Sequence, residues 1–283
     1  MRASTFKAIA TAAFAVMAVG SVASAADMAP RYTKAPPPIV EVWTWDKFYV
    51  GVNGGYSWGR SDTSGTFYNN TTGVQLSPTQ SGIIHLDGWV FGGQVGKNWQ
   101  FGNWVAGIEL DGQWTNEKGS SVFTCATTPG LCNGITGGPG QGIAPTTTFN
   151  QEISWFVTLR PRVGALLNPS TLLYVTGGLA VAGIKTDGVL AGYTAGQAPT
   201  SVAWSNDQTK FGWVVGAGVE ARLGGNWTGK LEGLYMDYGT VSGSPVLLTS
   251  NPPLRFDYSS KVTDVVLRAG VNYHFGGPVV AKY

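Results

Sequence analysis

The chain has 283 residues, of which only 12% are charged, while 41 are Gly and 11 are Trp. Charge is about half what soluble domains carry, and Gly about twice the usual share. This excludes a helical bundle, where each interior Gly costs about 1 kcal/mol relative to Ala, and a collagen-like chain, since Gly has no period of three. Residues 1–25 hold two of the 18 basic residues; without them Lys+Arg and Asp+Glu balance at 16 each. No basic excess then points to a nucleic acid.

Residues 1–25 read as a cleaved secretory signal peptide. Arg2 and Lys7 precede the apolar run 8–22, and Ala23-Ser24-Ala25 gives a small-x-small cleavage site. The Pro-rich stretch 26–44 is expected to be an extended periplasmic leader. Residues 45–283 are expected to form the folded part. No apolar run after residue 25 is long enough for a spanning helix, which leaves strands as the means of crossing a membrane.

Eight stretches alternate apolar and polar residues with period two, which predicts strands over 46–59, 87–99, 104–115, 152–166, 171–184, 209–223, 227–238 and 262–275. Short connectors (100–103, 167–170, 224–226) alternate with long ones (60–86, 116–151, 185–208, 239–261). Tight turns at one end and long loops at the other predict an all-β fold, an eight-stranded antiparallel up-and-down transmembrane barrel. Threading the strands puts Trp58, Trp89, Trp114, Trp155 and Trp213 at the long-loop end of the apolar face. Phe48, Trp99, Trp104, Trp227, Tyr273 and Phe275 fall at the short-turn end. Two aromatic girdles at the bilayer interfaces are expected. Pro161 cannot donate a ladder bond, so a bulge, a lost bond or a slip in side-chain phase is expected there.

By parity, Glu109, Asp111, Glu152, Glu220, Glu232 and Asp264 point inward with Arg160, Arg162, Lys210, Arg222, Lys230 and Arg268. An eight-strand barrel is only wide enough for its own side chains. Desolvated charges there must pair, which predicts a salt-bridged core holding the barrel shut. The same charges could instead line a permeation path. Cys125 and Cys132, in a long loop exposed to an oxidising compartment, are candidates for a disulfide. No residue set suggests a metal site, a cofactor or a catalytic group. His85 and His274 fall at opposite ends of the barrel, and GGPGQG (137–142) lacks the Lys-Ser/Thr of a phosphate loop.

The stretches FYVGVNGGYSWG (48–59), FGGQVGKNWQ (91–100), WFVTLRPRVG (155–164), LLYVTGGLA (172–180), FGWVVGAGVEARLGGNWTGKLEGLYMDYG (211–239) and LRAGVNYHF (267–275) together resemble the small outer-membrane immunogenic proteins of alphaproteobacteria, a porin-like family. The resemblance implies an outer-membrane protein of a Gram-negative bacterium with exposed, antigenic loops; some relatives are described as porins or haemin binders. It also implies contact with outer-membrane lipid and lipopolysaccharide and with the barrel-assembly machinery. The chain departs from the family pattern at Lys97, Pro161 and Gly233, and it continues eight residues past Phe275, so an assembly signal at that residue would be internal. Three roles follow as expectations: a closed barrel that displays loops to a host or surface ligand, a narrow channel, or a haem-type binder using His85, Tyr68 or Tyr193. An enzyme is not expected. A homo-oligomer is compatible with all three.

Overall fold

The computed structural model describes residues 41–124, 146–192, 200–249, 253–276 and 279–280. The signal peptide, most of the Pro-rich leader, Cys125, Cys132, the GGPGQG stretch and Tyr193 lie outside the described residues. Eight long strands make one antiparallel sheet: β1 (Phe48–Asn69), β2 (Gln80–Phe101), β3 (Trp104–Thr124), β4 (Thr146–Asn168), β5 (Thr171–Gly192), β6 (Thr200–Gly224), β7 (Trp227–Gly243) and β8 (Leu254–Phe275). Each pairs with its sequence neighbour, and β8 pairs with β1 from Leu254↔Asn69 to Phe275↔Phe48, which closes the barrel. Gly102 and Gly225 take φ of +61° and +52° in two of the tight turns, a conformation that costs other residues a Cβ clash. No helix among the described residues is long and apolar enough to cross a membrane.

The strands are longer than the sequence predicts, at 17 to 25 residues. The expected long connectors shrink accordingly, because strand structure continues through most of 60–86, 185–208 and 239–261 and through 116–124 and 146–151 of the connector 116–151. The physical reason is a change in sense. Between the girdles, apolar residues face out and polar ones in. Beyond the loop-side girdle the alternation persists but inverts. Ile84, Leu86 and Val90 turn inward on β2 while His85 and Asp87 face out. Phe149 and Ile153 do the same on β4, and Phe256, Tyr258 and Val262 on β8. These side chains form one buried apolar core with Phe67, Phe123, Leu190 and Tyr238. A run read only for apolar-out alternation therefore ends too early.

Heights follow from the register. Phe48 and Trp58, Trp99 and Trp89, and Trp104 and Trp114 are each ten residues apart along one strand. At about 3.3 Å per residue and a tilt of about 40° this is about 25 Å, the height of a barrel's apolar band. Rings touch laterally within each girdle. Phe48 meets Phe275, which meets Tyr273, which meets Trp227, at centroid distances of 5.1–5.8 Å. Trp89 packs on Tyr56 and Trp114 on Phe91 on the loop side. Trp155 and Trp213 are also outward-facing. The part above Trp58 rises about 25 Å further to Asn69, and its outer face carries charged and polar residues with a few exposed apolar ones, Ile83, Val122 and Val189.

The placement makes a testable contrast. Val52 faces outward midway between Phe48 and Trp58, and Val122 faces outward above the loop-side girdle. Val52→Arg is expected to lower unfolding free energy in lipid vesicles by about 2–4 kcal/mol, and Val122→Arg to leave it unchanged. Urea titration of vesicle-folded protein checks this; equal costs at the two sites would place the bilayer elsewhere.

Two irregularities differ from expectation. Around Pro161 the β4–β5 ladder lacks the pairs between Leu159↔Leu179 and Arg162↔Thr176, with no shift of register. Thr176 Oγ1 donates to the Pro161 carbonyl at 3.0 Å. The ladder loses bonds there, but the side-chain phase of Arg162 and Val163 holds. The slip occurs instead at Ser154, where β4 carries an extra residue between Ile153 and Trp155. The bulge turns Ile153 inward and Glu152 outward, the reverse of the parity reading.

Candidate functional site: the buried ion network

Four acids and four bases fill the barrel between the girdles: Glu109, Asp111, Glu220 and Glu232 with Arg160, Arg162, Lys230 and Arg268. All eight are at most 4% exposed, and their formal charges cancel. The strands place them by period two. Glu109 and Asp111 are successive inward positions of β3, Arg160 and Arg162 of β4, and Lys230 and Glu232 of β7. β6 supplies Glu220 and β8 supplies Arg268.

Arg160 is the hub. Its guanidinium meets Glu109 at 2.6 Å, Asp111 at 2.8 Å and Glu232 at 3.1 Å. Arg268 spans Asp111 at 2.9 Å and Glu232 at 2.7 Å. Lys230 Nζ donates to both oxygens of Glu109, at 2.8 and 3.0 Å. Arg162 reaches Glu220 at 3.0 Å and donates to Asn98 Oδ1 at 2.9 Å. Neutral donors complete the carboxylates. Tyr49 donates to Glu109 at 2.8 Å, Tyr174 to Glu232 at 3.0 Å and Thr158 to Asp111 at 2.6 Å. Thr228 and Asn272 donate to Glu220. Charge-assisted bonds of this kind are about twice as strong as neutral ones, and their number is what offsets burying eight charges.

The tyrosines need glycines to fit. Arg162 lies between the rings of Tyr49 and Tyr174, 4.7 and 5.1 Å from their centroids. A Cβ on Gly96 would stand 2.2 Å from the Tyr49 oxygen, and one on Gly218 2.6 Å from that of Tyr174. Part of the unusual Gly content is thus wall thinned to let rings lie against it.

Two tryptophans pack at the turn side. Trp45 is fully buried against Val105, Leu166, Leu172 and Tyr174. Its backbone N–H donates to Gln100 Oε1 at 2.8 Å and its indole to the Pro169 carbonyl at 3.3 Å. Trp43 packs edge-on against Trp45 and His274, with Lys47 and Arg222 over its ring. Beneath, Glu41–Val42 pairs with Val279–Val280. On the loop side the network ends at Asp264, which accepts a hydrogen bond from Ser57, and at buried Glu117, which accepts one from Thr115 at 2.9 Å. The apolar core follows.

Several residues expected in the network lie elsewhere. Arg222 is exposed at the turn-side rim and bonds the Gly225 carbonyl, because β6 ends two residues later. Glu152 faces outward above the girdle and pairs with Lys118 at 3.3 Å, through the Ser154 bulge. Lys210 is only partly buried. Asp264 is buried but forms no ion pair with a described residue. Tyr49, Tyr174, Asn98, Asn272 and His274 sat on the predicted inward faces but carried no charge signal. Glu117 fell in a stretch expected to be loop. Trp43 and Trp45 continue the odd-numbered inward alternation of Tyr49 below the strand start, a signal that was available. Among the described residues no group of three or more His, Cys, Asp and Glu could hold a metal ion.

Residues 12–275 match the family of outer membrane protein beta-barrel domains. The chain belongs to that family. It is 31% identical over 270 residues to the 31 kDa outer-membrane immunogenic protein of Brucella melitensis, covering 95% of this chain and all of the relative. It is 27% identical over 280 residues to the 25 kDa outer-membrane immunogenic protein of Brucella abortus, covering 96% and 99%. The 22 kDa outer membrane protein of Rhizobium leguminosarum bv. viciae is 30% identical over 203 residues, 71% of this chain and 68% of that one. This outer-membrane β-barrel protein accordingly resides in the outer membrane of a Gram-negative bacterium.

Proposed function

We propose that this barrel is a non-enzymatic, closed membrane anchor that raises its loops above the cell surface. The observation that carries this reading is the lumen itself: four acids and four bases, mutually paired and shut off from water. A permeation path needs charged groups that face water, and these face one another. The turn-side stopper of Trp43 and Trp45 supports the same reading. So does the tall upper barrel, whose apolar core gives a rigid stem to the loops. Such loops are suited to contact with other surfaces, and the relatives' names as immunogenic proteins agree with exposure.

An epitope inserted after Thr72, in the 70–79 loop, tests it. Antibody is expected to bind intact cells, and removal of the gene is expected to leave uptake of small hydrophilic solutes unchanged. An epitope reached only after permeabilisation, or uptake that falls without the protein, would overturn the proposal.

A further inference from the structure

Among the described residues the outer wall between the girdles is uncharged apart from Lys97, two residues from Trp99 and paired with Asp46 at 2.7 Å; a belt of charges follows within about 12 Å above the loop-side rings, at about 2.5 Å of height per tilted residue. Three of its bases are paired: Arg60 with Asp62, Lys118 with Glu152 and Lys261 with Asp237. Lys185 is exposed and makes no ion pair with a described residue. Its cross-strand neighbours are Glu152, already held by Lys118, and Asp207. Asp207 is also exposed and without an ion pair among the described residues.

Lys185 and Asp207 flank a groove of about 320 Å³ on the outside of β4, β5 and β6, lined also by Trp155, Gln208, Thr209 and Ser154. The Trp155 indole lies over Gly183, where a Cβ would stand 2.3 Å from the indole nitrogen. An apolar wall runs down from the groove into the bilayer band. It includes Leu179 and Phe211, 64% and 79% exposed.

We infer that this groove binds the phosphorylated sugar headgroup of an outer-leaflet glycolipid. Lys185 is placed for the phosphate, Asp207 and Thr209, both on the outward face, for sugar hydroxyls, and Trp155 for a sugar face. The acyl chains lie along Leu179 and Phe211. Continuity selects an amphiphile: polar groove above, membrane-facing apolar wall below, meeting at a girdle tryptophan. A soluble phosphate would use only the upper half.

The test uses full-length mature protein folded in phosphatidylcholine vesicles containing a bisphosphorylated lipid A, with thermal unfolding read by heat-dependent gel mobility. Ligand that binds only the folded state raises the midpoint. The glycolipid is expected to raise it. Lys185→Gln is expected to weaken the apparent affinity about tenfold, the loss of one charge-assisted bond. Arg60→Gln, on the opposite wall, is expected to change nothing. Phosphatase-treated lipid A, phosphatidylglycerol and inorganic phosphate are each expected to give little protection. Equal protection of wild type and Lys185→Gln overturns the inference. Equal protection by phosphatidylglycerol overturns the sugar, by treated lipid A the phosphate contact, and by inorganic phosphate the lipid.

Discussion

Arg160→Met is expected to destabilise the folded barrel by about 3–5 kcal/mol, the cost of stranding buried charge. Arg160 is fully buried and contacts Glu109, Asp111 and Glu232 at once. Methionine fills much of the same volume, so little of the loss comes from a cavity. Lys230, Arg162 and Arg268 remain against four carboxylates, leaving one negative charge that no base balances. Adding Asp111→Asn restores neutrality and keeps one acceptor, the amide oxygen in the place of Oδ2, for Thr158 and Arg268 Nη2. The double variant is therefore expected to be more stable than Arg160→Met alone. Urea unfolding of vesicle-folded protein measures both. A single-variant loss below about 1 kcal/mol, the range of exposed ion pairs, would mean that water reaches the network.

The second large effect belongs to the upper barrel. Phe149 is fully buried, with rings of Phe123, Trp204 and Tyr258 around it at centroid distances of 4.9–6.0 Å. Phe149→Ala removes a core aromatic, which costs about 3–5 kcal/mol in soluble cores. The loss is expected to fall on the part above the loop-side girdle. Limited proteolysis of vesicle-inserted protein should then cut within β3 and β4 above Glu117 and Ile153, while the segments between the girdles stay protected. Cleavage no faster than in wild type would contradict a separately packed apolar tier.

Period two made the strands and the inward set of Glu109, Asp111, Arg160, Arg162, Glu220, Lys230, Glu232 and Arg268 legible, because one register fixes every side chain on a strand. The pairings were not legible. Which acid meets which base depends on strand stagger, and Arg160 contacts residues on β3 and β7 that no local pattern relates. The Ser154 bulge left no mark, since serine fits regular strand as well; it cost the placement of Glu152 and Ile153. The upper strands were missed although their alternation is plain at Ile84-His85-Leu86-Asp87. The rule that apolar means outward holds only in lipid, and above the girdle the solvent is water on the outside. Pro161 drew attention for its missing donor, yet its side chain faces lipid and its neighbours keep their phase. The loop-borne disulfide candidate, Cys125 and Cys132, lies outside the described residues.

A neutral, mutually paired ion network that closes the lumen should carry no current. Single-channel recording of the refolded protein in a planar bilayer tests this most directly, with folding verified beforehand by heat-dependent gel mobility. A silent bilayer is expected, or rare steps that do not scale with protein. Large, reproducible steps that change when Arg160 or Glu109 is replaced would contradict it.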